Sequence, residues 1–112
     1  MLEKISRINI LKDFYGPLLT EKQQEVLSLH YEQDWSFAEI AEHLQVTRQA
    51  VYDLLRRAEA ALEDYEQRLG LAERFLYTRR KLKEAYEYMD GEADPDRVNK
   101  ALDIIREISE SI

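Results

Sequence analysis

The chain has 112 residues, 16 Lys and Arg against 23 Asp and Glu, a net charge of −7 and no cysteine. That length makes one domain, or one domain with an appended helical piece, and suffices for a core without metals or covalent staples. The lack of cysteine excludes disulfides, thiolate metal sites and thiol catalysis, and fits a reducing compartment.

No apolar run approaches the roughly 18 residues of a membrane span, so no membrane partner is expected. Residues 1–7 alternate charge with single apolar side chains, unlike the apolar stretch of a secretory signal. The expectation is a soluble, intracellular, helical protein.

Three glycines and two prolines punctuate the chain. Gly16 and Pro17 close a first helix whose apolar residues Leu2, Ile5, Ile8, Leu11 and Tyr15 step by threes and fours. Thr20 opens a second helix, with Gln23 placed to complete a capping box, and Val26, Leu27, Leu29, His30 and Tyr31 carry it to about Glu32. Gln33, Asp34 and Trp35 form a polar linker. Ser36 and Glu39 make a second capping box, which predicts a helix from Phe37 to Leu44 with Ile40, Ala41 and Leu44 inward. Gln45, Val46 and Thr47 then make a turn, and Thr47 caps a long fourth helix from Arg48 to Leu69 that Gly70 stops in the left-handed conformation. A fifth helix is predicted from Leu71 to Met89, followed by an acidic loop from Asp90 to Asp94. Pro95 starts a sixth helix that runs to the end, and its stripe of Val98, Ala101, Leu102, Ile104, Ile105, Ile108 and Ile112 is expected to be buried. No segment alternates with the period of a strand.

The informative stretch is Ser36 to Arg57. A short helix, a three-residue turn and a second helix with exposed polar residues form a helix-turn-helix. Ala41 is small where the helices nearly touch, Val46 plugs the turn, and Val51 and Leu55 pack the second helix back on the first. Gln45 stands where a glycine would ease a left-handed residue, at a cost of about 1 kcal/mol. A helical wheel puts Ala50, Val51, Leu54, Leu55, Ala58 and Leu62 on the core side. Opposite lie Gln49, Tyr52, Asp53 and Arg56, flanked by Arg48 and Arg57. On a recognition helix these positions reach base edges and phosphates: Gln suits adenine, Arg suits guanine, and Thr47 and Arg57 suit phosphates. The alternative is an ordinary solvated face with Asp53 and Arg57 paired four residues apart.

Charge opposes strong autonomous DNA binding. Residues 20–69 hold 5 basic and 11 acidic side chains, and Glu25, Glu32, Asp34, Glu39, Glu42 and Glu59 lie in or beside the motif. Positive charge gathers on the fifth helix, at Arg74, Arg79, Arg80, Lys81 and Lys83, with Phe75 and Tyr77 nearby. That cluster suits RNA phosphates or an acidic protein surface, or else pairs with the acidic fourth helix. His43 follows Glu39 by four residues, the spacing of a surface pair on a helix. No phosphate-cradling glycine loop or nucleophile elbow is present, and the acidic loop lacks the spacing of a calcium loop. No enzymatic activity, cofactor or metal site is expected.

The runs LLTEKQ from Leu18, SFAEIAE from Ser36 and VTRQAVYD from Val46 are similar to region 4 of bacterial sigma factors. With the chain length, Arg56, Arg57 and the run LEDYE from Leu62, the sequence more closely resembles the YlxM family of small bacterial helix-turn-helix proteins. The resemblance covers nearly the whole chain and is most specific from Ser36 to Leu69. It implies an all-α, sigma-region-4-like helix-turn-helix core over residues 1–69 with a C-terminal helical extension over residues 70–112. It further implies a cytoplasmic regulatory protein of the signal recognition particle pathway, since the family's genes neighbour those of the particle's GTPases. The recognition-helix residues Thr47, Arg48, Gln49, Tyr52, Arg56 and Arg57 would contact DNA. The competing expectation is an adaptor for the particle's GTPase or its RNA, acting through the basic fifth helix. A homodimer through the C-terminal helices is a further expectation, as helix-turn-helix regulators often pair through such an appendage.

Overall fold

A computed structural model describes residues 2–91 and 94–111, with the side chain of Leu2 left out. Leu2 as a core residue, Glu92 in the acidic loop and Ile112 in the sixth-helix stripe therefore lie outside what it describes. Among the described residues there are six α-helices and no strand: α1 (Leu2–Tyr15), α2 (Glu21–Leu27), α3 (Phe37–Leu44), α4 (Arg48–Leu69), α5 (Leu71–Met89) and α6 (Pro95–Ser111). The protein has an all-α helix-turn-helix fold, as its sequence pattern predicts.

Local chemistry sets the boundaries. Thr20 and Ser36 each accept the amide of the residue three positions on, and the side chains of Gln23 and Glu39 return to the cap amides. Thr47 caps α4 by accepting the Ala50 amide at 3.0 Å, and Gly70 ends it at φ 63°. Gln45 does adopt the left-handed conformation, at φ 57° and ψ 46°. Two local features escape the sequence pattern. A 3₁₀ turn over Gly16–Leu18 follows α1, and Gln24 fastens it by donating to the carbonyls of Gly16 and Leu19. After α2 the chain widens into a π-turn over Ser28–Glu32, closed by the Gln33 amide on the Ser28 carbonyl at 3.0 Å. Asp34 then reverses the chain at φ 59°.

The chain forms two compact units, Met1–Ala72 and Glu73–Ile112. In the first, Leu11, Tyr15, Val26, Leu27, Ile40, Val51, Ala58 and Leu62 are fully shielded from solvent and joined by Ile8, Leu29, Ala41, Leu55 and Ala72. This core braces α3 and α4 from behind with α1 and α2. Two expectations are corrected here. Ala50 is exposed, because the buried arc of α4 narrows to Val51, Leu55, Ala58 and Leu62, and Ala50 lies about 100° before it on the helix. Val46 is 41% exposed and does not plug the turn. Backbone bonds hold the turn instead, from the Val46 amide to the Ala41 carbonyl at 3.0 Å and from the Gln45 amide to the Glu42 carbonyl.

In the second unit α5 and α6 run antiparallel. Lys81 reaches Glu107 at 3.4 Å, and Arg97 donates to the Glu87 carbonyl at 2.8 Å. The stripe on α6 is not buried as a whole. Ala101 and Ile108 are covered and Ile104 partly so, while Val98, Leu102 and Ile105 stay exposed. One neighbouring helix shields a narrower arc than this stripe occupies.

Candidate nucleic-acid interface

The solvent face of α4 is organised from its first turn. The Thr47 side chain is committed to the cap, at a helix N-terminus where backbone amides favour an anion. Arg48 and Gln49 are exposed beside it. Gln49 donates to Asp53 at 3.0 Å, so Asp53 is held by Gln49 and not by Arg57. Tyr52 is 42% exposed, braced edge-on by Phe37 of α3 at 6.3 Å and covered by the Arg56 guanidinium at 5.7 Å from its ring centre. This pins a ring and a cation in the middle of the face. Arg48, Arg56 and Arg57 make no ion pair among the described residues.

Four of the six acids near the motif are engaged elsewhere. Glu39 serves the Ser36 cap, which together with the Ser36 hydroxyl holds its carboxyl below the usual range. Its expected pairing with His43 is therefore corrected: His43 lies 3.4 Å from Glu25, because the cap amide competes for Glu39. Glu59 accepts from the Tyr31 hydroxyl and lies 3.6 Å from Lys4. Glu32 accepts from Lys12 and from Ser28. Asp34 and Glu42 stay exposed. The structure adds what the sequence did not reveal, a row of α1 cations facing α4 and the π-turn. Lys4, Arg7 and Lys12 reach Glu59, Glu63 and Glu32, with Arg7 on Glu63 at 2.6 and 2.7 Å. Those separations of 20 to 56 residues leave no local signal.

These pairs predict acid sensitivity. Lys12, then Ser28, hold the Glu32 carboxyl below its ordinary range, and Arg7 does the same for Glu63. A carboxyl depressed in the folded state adds stability above its unfolded pKa of about 4.3, and that stability is lost as pH falls through the folded value. The melting temperature should fall steadily between about pH 5 and pH 3. The Glu32→Gln, Glu63→Gln double variant should start lower and lose less across that interval. Parallel curves for variant and wild type would rule the pairs out as the cause.

The basic cluster on α5 lies in the second unit. Arg74, Arg79, Arg80 and Lys83 are exposed, and the Arg80 guanidinium lies 5.8 Å from the Tyr77 ring centre. Lys81 lies at the same distance from that ring and is held at 3.4 Å by both Glu84 and Glu107, and these carboxylates raise its pKa. No helix among the described residues is long and apolar enough to cross a membrane.

Comparison with known families now places this geometry. A family described as "Putative helix-turn-helix protein, YlxM / p13 like" matches residues 2–105. The chain belongs to this family. A UPF0122 protein of Desulforamulus reducens is 42% identical over 112 residues, covering 97% of this chain and 96% of the relative. One of Symbiobacterium thermophilum is 48% identical over 105 residues, covering 94% and 97%. One of Anoxybacillus flavithermus reaches 57% over 75 residues, covering 67% and 68%. The family description agrees with the α3–turn–α4 geometry, and the match extends past α4 into α6.

Proposed function

We propose that this chain is a non-enzymatic, cytoplasmic regulatory protein that binds DNA through Thr47, Arg48, Gln49, Tyr52, Arg56 and Arg57. It serves the signal recognition particle pathway, a reading supported by the resemblance to the YlxM family. The observation that carries the DNA reading is the set of three exposed guanidiniums of Arg48, Arg56 and Arg57. They make no ion pair among the described residues, while four of the six surrounding acids are engaged elsewhere. A homodimer through the C-terminal helices would present two such faces to a palindromic site.

Selection from random-sequence duplex at physiological salt tests this. An enriched motif is expected, and Arg48→Ala with Gln49→Ala should abolish the enrichment. If all three arginines contact phosphate, log affinity should fall with log salt with a slope of about −2.7 per chain. No enrichment, or an affinity indifferent to the double substitution, would end the DNA reading.

A second reading has its own observation, the exposed Arg74, Arg79, Arg80 and Lys83 on α5. In it the protein is an adaptor for the particle's GTPase or its RNA. Arg79→Glu with Arg80→Glu should then abolish a pull-down that recognition-helix substitutions leave intact. An unchanged pull-down would discard it.

A further inference from the structure

The α5–α6 pair keeps a set of large apolar side chains in solvent. Leu82, Tyr86 and Met89 on α5 are 52, 68 and 58% exposed, and Val98, Leu102 and Ile105 on α6 are 36, 51 and 41% exposed. Their placement follows from the helical period. On α5 the side that meets α6 carries Lys81 and the buried Ala85, and the exposed stripe lies about 100° further round. On α6 that side carries Ala101 and Ile108, and Val98, Leu102 and Ile105 again lie about 100° further round in the same sense. Equal rotations of one sign on antiparallel helices turn to the same side of the pair. The six side chains therefore form one apolar face, of a size that soluble monomers rarely leave open.

We infer, resting on the homodimer proposed above, that this face is its interface, with the two copies pairing their α5–α6 hairpins into a four-helix bundle. Two observations favour a second copy. The first is size. Two helices about 25 Å long, set roughly 9 Å apart, present on the order of 500 Å² in projection, and two copies together reach about 1,000 Å², where specific interfaces begin. The second is charge. The outer edge of α5 beside the face carries Arg79 and Lys83, with Asp90 at its end. The outer edge of α6 carries Asp96, Asp103 and Glu110, with Arg106 held 3.7 Å from Asp103. One edge is net basic and the other net acidic. A twofold axis parallel to the helices lays α5 of each copy over α6 of the other, so unlike edges meet twice. The alternative axis lays like edges together. The face is thus self-complementary, as a closed dimer requires.

Sedimentation equilibrium of the full chain tests this directly. The wild type should weigh twice its 13.3 kDa. Leu102→Glu with Ile105→Glu should give a monomer with unchanged far-ultraviolet circular dichroism. The edges supply a second test that leaves the apolar face intact. Arg79→Glu with Lys83→Glu, or separately Asp103→Lys with Glu110→Lys, should weaken the dimer roughly tenfold, and the four changes together should restore it. A wild-type mass of 13.3 kDa into the high micromolar range would overturn the homodimer reading and this inference together, and leave the face to another partner. A dimer indifferent to the apolar pair, or not restored by the fourfold exchange, would overturn this face as the interface and leave the homodimer reading standing.

Discussion

Tyr15→Ala should remove about 3–5 kcal/mol of stability, and Tyr15→Phe about 1–3 kcal/mol. The side chain has no solvent exposure and stacks on Tyr65 with ring centres 5.9 Å apart. Its hydroxyl donates to Glu66 at 2.6 Å and accepts the Leu71 amide at 3.0 Å. Burial, followed by the Glu66 carboxylate, pushes the phenol above its ordinary pKa, so it stays a neutral donor. Alanine opens a cavity in the core cluster to which Tyr15 belongs. Phenylalanine keeps the ring and takes away the acceptor for the Leu71 amide. In a unit of this size each kcal/mol shifts melting by about 4–8 °C, so thermal scans by circular dichroism separate the two variants. A phenylalanine variant melting with the wild type would show that the hydroxyl contributes nothing.

Ile40→Ala should cost about 2–5 kcal/mol, and Ile40→Val about 0.5–1.5 kcal/mol. Ile40 is the fully buried anchor of α3, a helix of only 8 residues with one other buried side chain, Ala41. So short a helix has little stability of its own and is held by packing. Its loosening reaches the α4 face, because Phe37, one turn before Ile40, braces Tyr52. Urea titration of the three proteins gives the free energies. An alanine loss below about 1 kcal/mol would mean that the site collapses around the smaller side chain.

The caps at Thr20, Ser36, Thr47 and Gly70 were legible in the sequence because each is a bond between residues at most four apart. The α4 face was legible for the same reason, since a helical period assigns sides. A wheel assigns sides without depth, and that is where it fails for Ala50. The π-turn over Ser28–Glu32 differs from a plain last turn by one shift of hydrogen-bond register, and no residue type marks it. Glu39 had two local partners on offer, and the sequence could not weigh the cap amide against His43. The bracing of Tyr52 by Phe37 and the α1 cations on Glu32, Glu59 and Glu63 are products of tertiary packing. Those cations occupy Glu32, Glu59 and Glu63, while Arg48, Arg56 and Arg57 make no ion pair among the described residues.

The way α5 begins has a consequence for the order of assembly as the chain is made. The first amides of this helix find their acceptors in Tyr15 and Glu66, and Ala72 is itself part of the core beside α1 and α4. Synthesis completes the α3–turn–α4 segment at Leu69, three residues before Ala72. Until that residue has emerged, the Tyr15 hydroxyl lacks the amide it accepts and the core lacks one wall. The first unit can therefore reach its finished state only after growth has passed the nominal end of its own motif, with the opening turn of the next helix serving as its closing piece.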